Sequence, residues 1–326
     1  MRRRDFIKVI VGSNTWPLAG RAQQPAKIYR IGNLTPGPVA PRLQNYTALR
    51  EGLRELGYVE GQHYVVELRS AEGQYDKLPD LAAELVRLDV DVIIAATERA
   101  VRAAKESTNQ IPIVMISVSD PISAGFIVSL ARPGGNITGL TNVAPDISGK
   151  RLELLREIVP GISRVAVIMS SLTDTGYKLQ LRGLELAARN LGIQLLTLEV
   201  RRPDDFESAF QTARAGASGL IVQNDVFLFS SRARIVELAA TYRLPAIYGD
   251  REFADIGGLV AFGTSLIYQW HRAATYVDKI LKGVKAADLP VEQPTRFDLI
   301  VNRKTAETLG IAIPPSMLIW ADQVIE

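Results

Sequence analysis

Short aliphatic runs alternate with helix-spaced apolar residues along most of this 326-residue chain, and the order of the runs occurs twice. Residues 28–34, 64–68, 90–95 and 113–116 read as strands. Between them Tyr46, Leu49, Leu53 and Leu56 step by three and four residues, as do Leu78, Leu81, Leu85 and Leu88, and residues 98–105 make a third helix. Gly57 stops the first, because glycine accepts the left-handed conformation that ends a helix. A second series comes next, with strands at 164–169, 193–198, 220–222 and 246–248 and helices at 179–191, 206–213 and 235–242. Arg30-Ile31 matches Arg164-Val165, Leu56-Gly57 matches Leu191-Gly192, and Ile111-Pro112 matches Leu244-Pro245, each pair about 134 residues apart. Three matches at one offset mark two copies of one architecture. Strands that are aliphatic throughout are covered on both faces, so each copy is expected to be a parallel sheet wrapped by helices, an α/β fold of two doubly wound lobes.

The chain continues past the second copy with a strand at 259–262, a helix at 270–281, a polar proline-containing connection at 283–294 and a strand at 297–301. Late elements that return to the first lobe and cross again give three passages between lobes, near residues 138–143, 262–265 and 294–297. Three extended segments make a hinge, since bending a few residues costs little while both lobes stay rigid. The expected division is an export signal at 1–22, lobe one at 23–139 plus 264–294, and lobe two at 140–263 plus 295–326.

The N-terminus narrows the setting. Arg3-Arg4-Asp5-Phe6-Ile7-Lys8 places an arginine pair before a short apolar stretch, and Gly20-Arg21-Ala22 offers small residues for cleavage. This is the form of a twin-arginine export signal, with Gln23 as the first mature residue and a bacterial periplasm as destination. The apolar stretch, interrupted at residues 12–15, falls far short of the roughly 20 residues that span a bilayer, so no membrane span is expected in the mature chain. The formal charge of +3 belongs largely to that signal. Without residues 1–22 the chain carries 33 basic and 34 acidic side chains, and nothing basic remains to attract nucleic acid. There are no cysteines, which excludes disulfides, thiolate metal sites, a cysteine nucleophile and a lipid-anchoring thiol. His63 and His271 lie far apart and read as surface or packing residues.

Ligands of open parallel sheets bind where the strands' carboxyl ends, loops and helix N-termini converge. The candidate binding residues are therefore those at or just after the end of each strand: Thr35, Thr97, Glu98, Ser119 and Asp120 from lobe one, with Ser171, Asn224, Asp225, Tyr248 and Asp250 from lobe two. Hydroxyls, amides, a few carboxylates and one aromatic suit a small polar or zwitterionic molecule. Ser119-Asp120-Pro121 reads as a helix start whose N-terminus could hold a carboxylate, and Asp225 could pair an ammonium. Each residue also has a plainer use: Asp120 and Asp250 as helix caps, Thr35, Thr97 and Ser171 as turn residues, Tyr248 as core. Gly-x-Gly-x-x-Gly after the first strand, a phosphate loop, a Gly-x-Ser-x-Gly elbow and calcium-loop spacing are all missing, so no enzyme activity, metal or cofactor is expected.

The run from Ser119 through Ala131-Arg132-Pro133-Gly134-Gly135-Asn136 to Leu140, with Lys150-Arg151-Leu152-Glu153-Leu154-Leu155 and Tyr248-Gly249-Asp250-Arg251-Glu252-Phe253-Ala254, resembles the substrate-binding proteins of ABC importers, in the group that includes tryptophan-binding members. The resemblance covers essentially the whole mature chain. It implies a type I periplasmic binding fold, a small amino-acid-like ligand between the lobes, and an ABC permease in the inner membrane as partner to a monomer. The Pro133-Gly134-Gly135-Asn136 turn and the amphipathic helix at 150–158 are expected to stay clear of the ligand. An exported enzyme and a ligand-sensing partner of a membrane receptor are the competing readings; a cytosolic repressor is disfavoured, because no DNA-binding helix pair precedes Ala26.

Overall fold

The computed structural model describes residues 27–40, 43–142, 144–170 and 175–326. The export-signal reading of residues 1–22 lies outside them. In the first lobe β1 (Tyr29–Thr35), β2 (Tyr64–Ser70), β3 (Val92–Ala96), β4 (Ile113–Val118) and β5 (Ile137–Thr141) form one parallel sheet in the order β2-β1-β3-β4-β5. Successive residues of a strand face opposite sides, and the aliphatic run of β3 feeds two cores at once. Ile93 and Ala95 pack with α2 (Leu78–Arg87) and α3 (Glu98–Ser107). Val92 and Ile94 pack with α1 (Leu43–Glu55) and α10 (Leu266–Leu281).

The second lobe holds β6 (Arg164–Met169), β7 (Gln194–Glu199), β8 (Gly219–Val222), β9 (Ala246–Tyr248), β10 (Val260–Thr264), β11 (Phe297–Asn302) and β12 (Gln323–Ile325). Their order is β12-β11-β10-β9-β8-β6-β7. Ala166 and Ile168 of β6 face the core under α6 (Asp205–Gly216), α7 (Val226–Ser230), α8 (Arg232–Thr241) and α9 (Arg251–Asp255). Val165 and Val167 face α4 (Ala144–Ile158), α5 (Thr175–Leu191), α11 (Arg303–Leu309) and α12 (Pro315–Trp320). The chain leaves the first sheet after β5, returns after β10 to lay α10 on it, and leaves again before β11.

The structure corrects the sequence expectation in three places. The second sheet is mixed, because β10 and β11 are antiparallel. The chain re-enters beside the end of β10 that it left, with Thr264 opposite Phe297 and the Ser265 N–H donating to the Arg296 carbonyl at 3.2 Å, so β11 can only run back. The first crossing is also shorter than residues 138–143, since 137–141 pair with β4 as a full strand. Finally, no helix follows Asp120; residues 121–125 are turns, in which the Asp120 carboxylate accepts from the Ser123 N–H at 3.0 Å. Among the described residues no helix is long and apolar enough to cross a membrane.

Candidate functional site

A cavity of about 170 Å³ lies between the two lobes, walled by both. Lobe one supplies residues at its strand ends and in the adjoining loops: Thr35, Thr97 and Glu98, Ser117 and Ser119. Lobe two supplies Asn224 and Asp225 after β8, Asp250 after β9 and Thr264 at the end of β10. This is the carboxyl-end rim expected of parallel sheets.

Seven of the ten sequence candidates line this cavity: Thr35, Thr97, Glu98, Ser119, Asn224, Asp225 and Asp250. Asp120 and Tyr248 are not among the lining residues. Burial works against the Asp120 charge, but hydrogen bonds from the Ser123 side chain and from backbone N–H groups outweigh it and hold the carboxyl below its usual range. Tyr248 is core, stacked on Phe253 with ring centroids 4.7 Å apart, and burial alone drives its hydroxyl well above the usual tyrosine range. Ser171 lies outside the described residues. The two histidines are tied elsewhere: His63 Nδ1 accepts from the Val59 N–H at 2.9 Å, and His271 Nε2 faces Glu55 at 3.1 Å.

The helix read at 150–158 was expected to stay clear of the ligand; the structure begins it earlier, at Ala144, and one face of it borders the cavity. Ile147, Ser148 and Arg151 of α4 are part of the cavity wall. Arg151 is 3 % exposed, and its Nε donates to the Phe262 carbonyl at 2.7 Å. Burial lowers its pKa to about 10, opposed by the charge of Asp250, so the guanidinium still carries its proton at neutral pH. A sequence signal existed. Arg151 sits three residues after Ser148 and four before Leu155, on the side of the helix that faces inward, where a charge is expensive unless it has work to do.

Three aromatic side chains also escaped sequence reasoning because their spacing is that of core. Tyr46 of α1 and Trp270 of α10 meet edge to face with ring centroids 4.9 Å apart, and both line the cavity. Tyr75 joins them, with the Arg99 guanidinium 4.4 Å from its ring centroid. Its hydroxyl is pushed up to about 12, first by burial and then by the charge of Asp225 in the opposite lobe, with Arg99 opposing. Asp225 also caps α7, accepting from the Leu228 N–H at 2.9 Å.

Two features separate this rim from ordinary loop ends. Thr97 has φ 81° and ψ 158°, a region that side-chain-bearing residues avoid, and Ser117 on the neighbouring strand end has φ 60°. In addition, Thr97 Oγ1, Asn142 Oδ1, Gln180 Oε1 and Thr264 Oγ1 are buried without a hydrogen-bond partner among the described residues. Buried polar atoms are nearly always paired in folded proteins, and these four unpaired ones all belong to residues that line the cavity.

Comparison with known proteins agrees with this geometry. The family model described as ABC transporter substrate binding protein matches residues 40–325. The chain belongs to that family. Among relatives is the tyrosine-binding protein of Clostridioides difficile (strain R20291), 24% identical over 261 residues, which are 80% of this chain and 75% of that protein. Among solved structures, the ABC domain in complex with L-Trp from Streptococcus pneumonia is 25% identical, with a TM-score of 0.85 over 92% of this chain and 100% of that one. A conserved domain protein from Vibrio cholerae O1 biovar El Tor is also 25% identical with a TM-score of 0.85, covering 91% of this chain and 100% of its own. Members of this family are binding proteins, and the two-lobed periplasmic-binding fold expected from the sequence is the one observed.

Proposed function

We propose that this protein captures an aromatic amino acid between its lobes and delivers it unchanged to an ABC permease in the inner membrane. One observation carries the reading: a cavity walled by both lobes joins a buried guanidinium, Arg151, to the aromatic rings of Tyr46, Tyr75 and Trp270. A cavity of about 150 Å³ holds a benzene ring, so about 170 Å³ is of the right order for an aromatic side chain. Arg151 takes the ligand carboxylate. The acceptors Asn142 Oδ1 and Gln180 Oε1 and the carboxylate of Asp225 take its ammonium. Thr35, Thr97, Ser119 and Asn224 complete the polar shell, while Asp120 and Tyr248 shape loop and core. The names of the tyrosine-binding relative and of the L-Trp complex support the same ligand class.

In this reading residues 23–139 and 264–294 form one lobe and 140–263 and 295–326 the other. The three crossings act as a hinge, and the ligand favours the shut state by contacting both lobes. Residues 1–22 direct twin-arginine export, and the protein works as a periplasmic monomer. Titration calorimetry with L-tryptophan and L-tyrosine, followed by mass spectrometry of the recovered ligand, tests it. Binding of either, with recovery unchanged, is the expected result; conversion of the ligand, or no binding of both, overturns it.

One substitution probes the polar shell directly. A Cβ on Gly249 would lie 1.7 Å from Asn224 Oδ1, so Gly249→Ala forces the Asn224 amide out of its place on the wall. Loss of one ligand hydrogen bond is expected to weaken binding by roughly tenfold, read in the same calorimeter. Unchanged affinity would remove Asn224 from the contact set.

A further inference from the structure

Gly37 does not need to be glycine for its backbone. Its φ lies outside the left-handed region, unlike the eleven described glycines with positive φ. What a side chain there would meet is the other lobe: an added Cβ would stand 3.0 Å from Val226 Cγ1, with no other atom within 4 Å among the described residues beyond its chain neighbours. Both sides of this contact are firmly held. The Gly37 carbonyl accepts from Ser70 Oγ at 2.9 Å, and the Pro36 carbonyl accepts from the Gly73 N–H at 2.8 Å. Val226 opens α7, which Asp225 caps and which Leu228 and Phe229 pin into the second core. Both residues line the cavity.

We propose that Gly37 and Val226 form the contact that sets how far the cleft shuts, with position 37 kept bare so that the lobes can come together over the ligand. The inference rests on the hinge motion proposed above but not on the identity of the ligand. It makes the pair positioning residues: they act on affinity by allowing Arg151 and Asp225 in lobe two to reach a molecule seated on lobe one. A side chain at position 37 wedges the shut state and spares the open one, where the two surfaces separate.

Because the chain has no cysteine, a cysteine pair tests the contact without interference. The double variant Gly37→Cys with Val226→Cys, treated with diamide, is expected to form an intramolecular disulfide, seen as loss of both titratable thiols in a protein that still elutes as a monomer in size exclusion. Neither single variant should do so. Persistence of both thiols overturns the proposal whether or not any amino acid binds, and a disulfide in a protein that binds neither L-tryptophan nor L-tyrosine leaves the proposal standing while the ligand reading falls. A second arm uses whichever of the two amino acids the wild type binds. Gly37→Val should weaken binding by roughly tenfold or more, the order expected of overpacking. Adding Val226→Ala should restore most of that loss, which a merely damaged loop would not allow. Wild-type affinity in Gly37→Val, or no rescue by Val226→Ala, counts against the contact as a limit on closure.

Discussion

Arg151→Met is expected to weaken binding of L-tryptophan or L-tyrosine by roughly 100-fold or more, the largest functional effect of any single change at this site. Truncating one partner of a buried, hydrogen-bonded charge pair costs about 2–5 kcal/mol, much of it from the partner left behind. In the binding mode proposed above the partner left behind is the ligand carboxylate, in a cavity whose other charges near Arg151 include the acidic Asp250. The protein itself should also lose stability. The Phe262 carbonyl loses its donor, and Asp250, 8 % exposed, loses the positive charge that faces it. A loss of about 2–3 kcal/mol in urea unfolding is expected, below the figure for breaking a contact ion pair because no direct salt bridge joins the two among the described residues. The double variant Arg151→Met with Asp250→Asn separates the two effects. With both charges gone, stability should recover part of that loss, since neutral replacements carry no uncompensated charge while the Phe262 carbonyl stays without its donor. Affinity should stay lost. Arg151→Lys should fall between, because an ammonium cannot serve the Phe262 carbonyl and a carboxylate with the same fork. Calorimetric affinity within threefold of wild type for Arg151→Met would sink the assignment.

Thr97→Gly is expected to move stability and binding in opposite directions. At φ 81° and ψ 158° a β-branched residue carries strain of about 1–3 kcal/mol that glycine does not. Glycine's extra freedom in the unfolded chain offsets about 0.5–1 kcal/mol of the relief. The net gain, about 1 kcal/mol, corresponds to a rise of about 2–4 °C in Tm for lobes of this size. The same change removes Oγ1, which is buried and unpartnered among the described residues, and so should weaken ligand binding by roughly tenfold. Thr97→Ser keeps the hydroxyl and should keep the affinity. Scanning calorimetry and titration on the three proteins check both halves. A lower Tm with unchanged affinity in Thr97→Gly would mean that the threonine serves the fold and not the ligand.

Much of the cavity wall was legible because its position is topological. Once strands alternate with helices, the residues after each strand fall on one rim, and Thr35, Thr97, Glu98, Ser119, Asn224, Asp225 and Asp250 all reach the cavity for that reason. Asp120 obeyed the same rule and ended in a turn, because five residues of turn rather than a helix come after it. Tyr248 obeyed it too, but three residues of strand leave its ring under Phe253. Strand positions tell which residues stand near the rim; they do not tell which side chains point over it.

The sequence by itself determined the repeated βα order, the two sheets and the rim where they face each other, because hydrophobic period and strand coverage are local properties. Only the tertiary structure decided that Tyr46, Trp270 and Arg151 share a cavity. Each sits on the inward face of a helix, where the period of 3.6 is the same whether that face meets a core or a hollow. What lies opposite is set by how two lobes come together across three crossings. That approach also makes sense of Gly37, whose lack of a side chain has no local cause and acquires one only when Val226 arrives from the other half of the chain.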